Sequence, residues 1–160
     1  LVSLAVEKED RRAFMLMGAF CSDGIGVPKD EVEALRWIRK AADLGEHESQ
    51  AVMGLACKDG RGVTKDTTAA LEWFHKAAAQ GQDMAQYQLG MVYQQGLWLP
   101  MDKAEAYAWF TLAATQWHRE AKACIQKLEL EMDSTQLTTA REKVAQLQKT
   151  IPPMVATTRG

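Results

Sequence analysis

Small and apolar residues recur at three- and four-residue spacing in three segments of the chain. In the segment 83–95 they are Ala85, Leu89, Gly90 and Tyr93, which fall on one face of a helix with 3.6 residues per turn. The segments 11–23 and 48–59 carry corresponding positions. We therefore predict a helix with one packing face in each of the three segments.

These segments belong to a repeat of 36 residues that continues without insertion. A fixed period of this length is typical of stacked supersecondary units, and each unit here reads as two helices. Glycine in the middle of a helix costs about 1 kcal/mol relative to alanine, so its recurrence there predicts a close approach of two helices. The columns that keep the period are Gly18, Gly54 and Gly90; Gly24, Gly60 and Gly96; Asp30, Asp66 and Asp102; Trp37, Trp73 and Trp109; and the alanine pairs 41–42, 77–78 and 113–114.

Each turn between the two helices of a unit is marked by glycine and followed by aspartate. Two glycines in Asp23-Gly24-Ile25-Gly26-Val27 can take positive φ, which ends the first helix and reverses the chain. Aspartate is a good N-cap, so the second helices are predicted to open at 30, 66 and 102. Capping boxes are predicted for Asp30 with Glu33, Asp102 with Glu105 and Asp133 with Gln136, and C-cap glycines at Gly45 and Gly81.

The period also predicts how the chain is divided. We expect residues 1–9 to be the end of a preceding repeat, followed by repeats at 10–46, 47–82 and 83–118. Residues 119–150 keep helical periodicity without the signature columns, which predicts a capping helix pair over the open end of the stack. Residues 151–160 are expected to be a flexible tail. The first residue is not Met, so further repeats upstream are possible and their number stays open.

The composition of the chain argues against several classes of function. The 160 residues are 47% hydrophobic and 25% charged, with a net charge of −2, which is typical of a globular domain. Basic residues are scattered among acidic ones rather than gathered in a stripe, so no nucleic-acid partner is predicted. No apolar run is long enough for membrane insertion. The three cysteines form no CxxC motif or zinc-ligand spacing, so no metal or cofactor is predicted.

The repeat resembles a known family. The segments "MGAFCSDGIGVPKDEVEALRWIRKAADLG" and "MGLACKDGRGVTKDTTAALEWFHKAAAQG" look like Sel1-like repeats, relatives of the tetratricopeptide repeat. The resemblance covers about residues 13–117 at full strength. It implies an all-α fold, a right-handed α-solenoid of antiparallel helix pairs, and an adaptor that binds other proteins.

The third unit and the cysteines depart from the family pattern. Trp98 stands where the other units have Gly26 and Gly62, and Trp117 where they have Gly45 and Gly81. Cysteine-rich members of the family bridge the two helices of each repeat with a disulfide. Cys21 and Cys57 share one repeat position and have no such partner, so that scheme is missing. Equivalent residues on stacked helices should lie about 8–10 Å apart, too far for a disulfide, so we expect these two not to be bonded to each other. They occupy the core position of Tyr93, so we expect both to be buried.

A partner is predicted to bind on the inner face of the first helices, opposite their packing face. Methionine adapts its shape and tyrosine anchors interfaces, so this groove would suit an extended or helical peptide. The alternative is that its apolar residues pack between neighbouring first helices. The predicted floor is Met15, Ala19, Ala51, Leu55, Tyr87 and Met91, with a polar rim around it. The other residues predicted on this face are Arg12, Glu48, Lys58, Met84, Gln94 and Gln95.

No catalytic constellation is predicted. Gly24-Ile25-Gly26 follows a predicted helix, whereas phosphate-binding loops follow a strand. His47, His75 and His118 share no repeat position and no paired-ligand spacing, so ordinary surface or partly buried histidines are expected.

The leading hypothesis is a bacterial protein–protein interaction scaffold in the cell envelope or cytoplasm, and not an enzyme. The alternative is an immunity protein that binds and blocks a secreted toxin, for which a neighbouring toxin gene would be decisive. Hydrolysis of cell-wall or β-lactam compounds, suggested for relatives, lacks a nucleophile–base pair here. The partner's identity and the oligomeric state stay open.

Overall fold

The computed structural model describes residues 10–116 and 118–151. The predicted end of a preceding repeat at 1–9, the departure at Trp117 and residues 152–160 of the predicted tail lie outside the described residues. Within them the chain is all-α, without strands. The helices are α1 Arg11–Asp23, α2 Glu31–Asp43, α3 His47–Asp59, α4 Thr67–Ala79, α5 Asp83–Gln95, α6 Lys103–Thr115, α7 Arg119–Glu131 and α8 Ser134–Thr150.

The helices form two compact units, Leu1–Ala77 and Ala78–Gly160, and the division falls in the last turn of α4. In the first unit α2 packs against both α1 and α3. In the second unit α6 packs against α5, α7 and α8. The second helix of a repeat is therefore the central element of its unit, and its alanine pair, such as Ala41 and Ala42, is buried.

The mid-helix glycines lie where two helices approach most closely. A Cβ added to Gly54 would lie 2.5 Å from Cε1 of Phe74, and one added to Gly90 would lie 2.6 Å from Cδ1 of Phe110. Real Cβ atoms do not approach so closely, so alanine would require the ring to move. The predicted close approach is confirmed.

The turn between the two helices is held by backbone hydrogen bonds as well as by glycine. Gly24 and Gly26 have φ of 72° and 71°, a region that favours glycine. The N–H of Asp30 donates to the carbonyl of Cys21 at 2.9 Å, and Asp66 makes the same bond to Cys57. The cysteine position thus connects the end of the first helix to the start of the second.

Aspartate caps the second helices as predicted. Asp30 accepts hydrogen bonds from the N–H groups of Val32 and Glu33, both at 3.0 Å. Two of the predicted capping boxes are only half formed among the described residues. The aspartate accepts from the backbone, but the glutamate three residues later does not bond back to the aspartate N–H, because Glu33 pairs with Arg36 instead. Glu105 likewise pairs with Lys143 of α8.

The predicted capping box that opens α8 is complete. Asp133 accepts from the N–H of Gln136 at 2.8 Å, and the Gln136 side chain accepts from the N–H of Asp133 at 3.0 Å. At the other end of this helix, Ile151 was predicted to begin a flexible tail. It is instead buried, and its N–H donates to the carbonyl of Leu147, so the last turn of α8 continues to it.

The junction from one repeat to the next depends on buried polar side chains. Gly45 has φ of 84°, and the N–H groups of Gly45 and Glu46 donate to the carbonyls of Ala42 and Ala41, which confirms the predicted C-cap. The Glu46 carboxylate then caps α3 through the N–H of Ser49. Gln50 donates to the carbonyl of Ala42 at 3.1 Å, so α2 and α3 are joined by side chain as well as by backbone.

Candidate partner-binding clefts

One face of α5 carries two residues of the predicted groove floor, Tyr87 and Met91. Leu89 and Gly90 are buried, and Gly90 faces Phe110 of α6, whereas Tyr87 and Met91 are half-buried beside this packing ridge. This division follows from the helix geometry, because Tyr87 and Met91 are four residues apart and lie on one stripe.

A cleft of about 650 Å³ lies between α5 and α7, both in the second unit. Four predicted residues line it, Tyr87, Met91, Gln94 and Gln95. The opposite wall comes from α7, with Ala123, Lys127 and Glu131, and Met101 and Lys103 close one end. The floor is therefore aromatic and methionine-rich, and the rim is polar.

Tyr87 is held in place by two rings. Its ring stacks on His118 with centroids 4.4 Å apart and contacts Phe110 at 5.6 Å. Burial raises the pKa of the Tyr87 hydroxyl, and the neighbouring Cys124 and Glu120 raise it further. The hydroxyl therefore stays protonated near neutral pH and can donate a hydrogen bond to a ligand.

A second cleft, of about 420 Å³, lies in the first unit between α1 and α3. The predicted residues Met15, Ala19 and Glu48 line it. Leu16 and Val52, which the prediction did not include, are 42% and 40% exposed and form much of its apolar surface. Exposed apolar side chains that adjoin one another in a single cleft, as these two do, are typical of interaction surfaces.

The remaining predicted residues lie outside these two clefts. Arg12 is exposed, and Leu55, Lys58 and Met84 are half-buried. Ala51 is only 3% exposed, so the prediction that it forms part of the groove floor is wrong. Its side chain lies on the packed side of α3.

The 36-residue period could have identified the two cleft residues that the prediction missed, Leu16 and Val52. Leu16 and Val52 are 36 residues apart and each directly follows a predicted floor position, Met15 or Ala51. A rotation of the predicted face by one residue, about 100°, brings them into the groove. The direction of that rotation depends on where the neighbouring helix lies, which one helix alone does not reveal.

The cysteine and histidine side chains offer no assembled reactive centre. Cys21 and Cys57 are buried free thiols, which confirms the prediction that they are not bonded. Burial raises the pKa of Cys57, Asp66 raises it further and Arg39 lowers it in part, so the less nucleophilic thiol form is favoured. Among the residues that the structure describes, no group of three or more His, Cys, Asp or Glu side chains is placed to hold a metal ion.

Comparison with known proteins identifies the repeat. The sequence matches the Sel1 repeat over residues 6–46, 47–82 and 83–116. The chain belongs to the Sel1 repeat family. Sel1 repeats are a non-enzymatic scaffold fold, and Sel1 repeat proteins generally bind other proteins.

Two solved structures have the same fold. A Sel1 repeat protein from Oxalobacter formigenes is 33% identical, with a TM-score of 0.74 over 79% of this chain and 95% of that one. A protective antigen present in uropathogenic Escherichia coli strains, displaying an SLR fold, is 26% identical with a TM-score of 0.72. This match covers 94% of the chain but only 40% of the antigen.

A search of curated protein sequences found no match to this Sel1 repeat chain. None of the described helices is both long enough and apolar enough to cross a bilayer.

Proposed function

We propose that this chain is a protein-interaction scaffold whose first helices bind segments of a partner protein. The observation that carries the proposal is the pair of clefts with apolar floors, one between α1 and α3 and one between α5 and α7. In each, large apolar side chains remain accessible beside polar groups, the arrangement found at protein interfaces.

The α5–α7 cleft has the features of an anchoring site. Tyr87 is already fixed by His118 and Phe110, so little side-chain entropy is lost when a partner packs on it. Met91 lies one turn further along the helix and can adapt to the partner's shape. Gln94 and Gln95 supply donors and acceptors at the rim.

The test is site-specific photocrosslinking in cells of the source organism. A benzophenone amino acid placed at Tyr87 or Leu16 should crosslink to a defined partner, because both positions lie in the clefts. The matched controls are Ile25 and Leu97, turn residues that are 58% and 67% exposed. Crosslinks of equal yield from the controls, or none from Tyr87 and Leu16, would reject the proposed surface.

A further inference from the structure

We propose that the α1–α3 cleft is specific for a basic segment of the partner, one that carries Lys or Arg beside aliphatic side chains. This inference rests on the proposed function and adds the chemistry of the bound segment. It follows from the charges that surround the apolar floor of this cleft.

The cleft continues into a smaller cavity of about 150 Å³. Ser22, Ile38 and Val52 line both, so the two form one groove over the surfaces of α1, α2 and α3. Val52 lies at the junction, where its exposed side chain can contact an aliphatic side chain of a bound segment.

The charged groups that line this groove are mostly carboxylates. Asp23 and Glu48 line the larger cavity, where none of the described lining residues is basic. Glu31 and Arg61 line the smaller one, and the Arg61 guanidinium is 3.4 Å from the carboxylate of Asp59. Among the described residues that line the groove, three are carboxylates and one is a cation, and that cation is already paired.

The position of Asp23 supports a role outside the helix itself. It is the last residue of α1, where a negative charge is opposed by the negative end of the helix dipole. It is exposed and lies at the edge of the apolar floor. This carboxylate therefore adds negative charge to the edge of the cleft without stabilising α1 through the dipole.

The α5–α7 cleft has a different charge pattern. Lys103 pairs with Glu131 at 3.1 Å, and Lys127 adds a further positive charge to the lining. Electrostatic complementarity gives specificity by excluding segments of the wrong sign. The two clefts are therefore expected to bind different segments of the partner, and the basic segment should bind the α1–α3 cleft.

The experiment is selection from a random peptide display library on the immobilised full chain, at low and at high salt. We expect enriched peptides to combine Lys or Arg with Leu, Ile or Met. Their affinity should fall about tenfold for Asp23→Lys/Glu48→Lys and should weaken as salt is raised. Val52→Ser, which adds no charge, should also weaken their binding, because the apolar contact is lost.

The control is Glu72→Lys/Glu142→Lys, which changes the net charge by the same amount at exposed positions of α4 and α8. It should leave the affinity of the selected peptides unchanged. The inference would be overturned if the peptides whose binding Val52→Ser weakens lack basic residues, if both double variants lose affinity equally, or if no enriched peptide depends on Val52. None of these outcomes changes the crosslinking yield at Tyr87 and Leu16, by which the proposed function is judged separately.

Discussion

Gly90 sets how closely α6 can approach α5. A Cβ at this position would lie 2.6 Å from Cδ1 of Phe110, a fully buried ring. We expect Gly90→Ala to lower the free energy of unfolding by about 1–3 kcal/mol, because overpacking outweighs the roughly 1 kcal/mol that alanine gains in helix propensity. Urea unfolding followed by circular dichroism measures the change.

The control is the same substitution in a Phe110→Leu background. The smaller side chain leaves room for the added methyl group, so Gly90→Ala should cost less there, a coupling that a double-mutant cycle isolates. An equal cost in both backgrounds would mean that the Phe110 ring is not what excludes the side chain.

Substitution of Tyr87 and of Trp73 compares the loss of a half-buried aromatic side chain with the loss of a core one. Tyr87→Ala should cost about 1–2 kcal/mol of stability, since it loses two ring contacts from a half-buried position. Trp73 is 7% exposed, and its removal should cost about 3–5 kcal/mol. Partner affinity should fall by about 2 kcal/mol for Tyr87→Ala.

The measurement pairs thermal unfolding with affinity for the crosslinked partner. If Tyr87→Ala destabilised the protein as much as Trp73→Ala, Tyr87 would belong to the core and the α5–α7 cleft would lose its anchor.

Sequence reasoning predicted both Tyr87 and Ala51 in the groove floor, but only Tyr87 is partly exposed and Ala51 is buried, for one physical reason. The helical period fixes which residues share a stripe, but not which stripe the next helix covers. On α5 the packing ridge of Leu89 and Gly90 leaves Tyr87 accessible, whereas on α3 the surface containing Ala51 is covered. Only the packing of neighbouring helices distinguishes the two cases.

At the scale of elements, one lysine of α8 holds the start of α6. The Lys143 ammonium is 3.3 Å from Asp102 and 2.6 Å from Glu105. Burial raises the pKa of Asp102, but hydrogen bonds from the Glu105 N–H and from Lys143 outweigh it and leave this pKa below 3.8. Burial lowers the pKa of Lys143, but the carboxylates of Glu105 and Asp102 outweigh it and leave this pKa above 10.5.

These shifts predict a window of pH in which the contact stabilises the protein. The Asp102 contribution is present above its unfolded pKa and is lost as pH falls through its lower folded pKa. The Lys143 contribution is present below pH 10.5 and is lost as pH rises further. Lys143→Met should therefore cost about 1 kcal/mol near neutral pH, a small value because the groups are partly exposed.

Urea unfolding of both proteins at neutral pH and near pH 3 measures this difference, which should shrink at the acidic value. Lys127→Met, an exposed lysine of α7, is the control and should cost little at either pH. A cost for Lys143→Met that stays constant with pH would show that its alkyl chain, rather than its charge, stabilises α8 against α6.

Sequence reasoning predicted most helix boundaries because strong local signals mark them. Aspartate before a helix and glycine after it form hydrogen bonds or turns within one helical turn. The cap roles of Asp30 and Gly24 can therefore be predicted from the sequence without knowledge of the tertiary structure. The caps of the first helices were missed because Asp10, Glu46 and Gln82 share a position but not an identity. The link from Lys143 to Glu105 spans 38 residues and two helices, so no local signal reveals it.

At the scale of the whole molecule, we predict that α8 covers the apolar face of α6 as a cap. Its residues Ala140 and Val144 are buried, and the helix packs against α6. Terminal elements of repeat proteins protect the last apolar face from solvent. A chain that ends at Asp133 should therefore unfold at a lower urea concentration and bind the dye ANS.

A synthetic peptide of Ser134–Thr150 added to the shortened chain should restore part of the lost stability, because binding to the folded form stabilises it. An unchanged urea midpoint after removal of α8, without dye binding, would contradict its role as a cap.

The backbone bonds at Cys21 and Cys57 have a consequence for the environments in which the fold can exist. The carbonyls of these residues hold the turns, while their thiols remain buried and unbonded. No covalent crosslink between them has to form during folding or be preserved afterwards. The first unit should therefore melt at the same temperature with or without a reductant, and its architecture is equally compatible with oxidising and reducing surroundings.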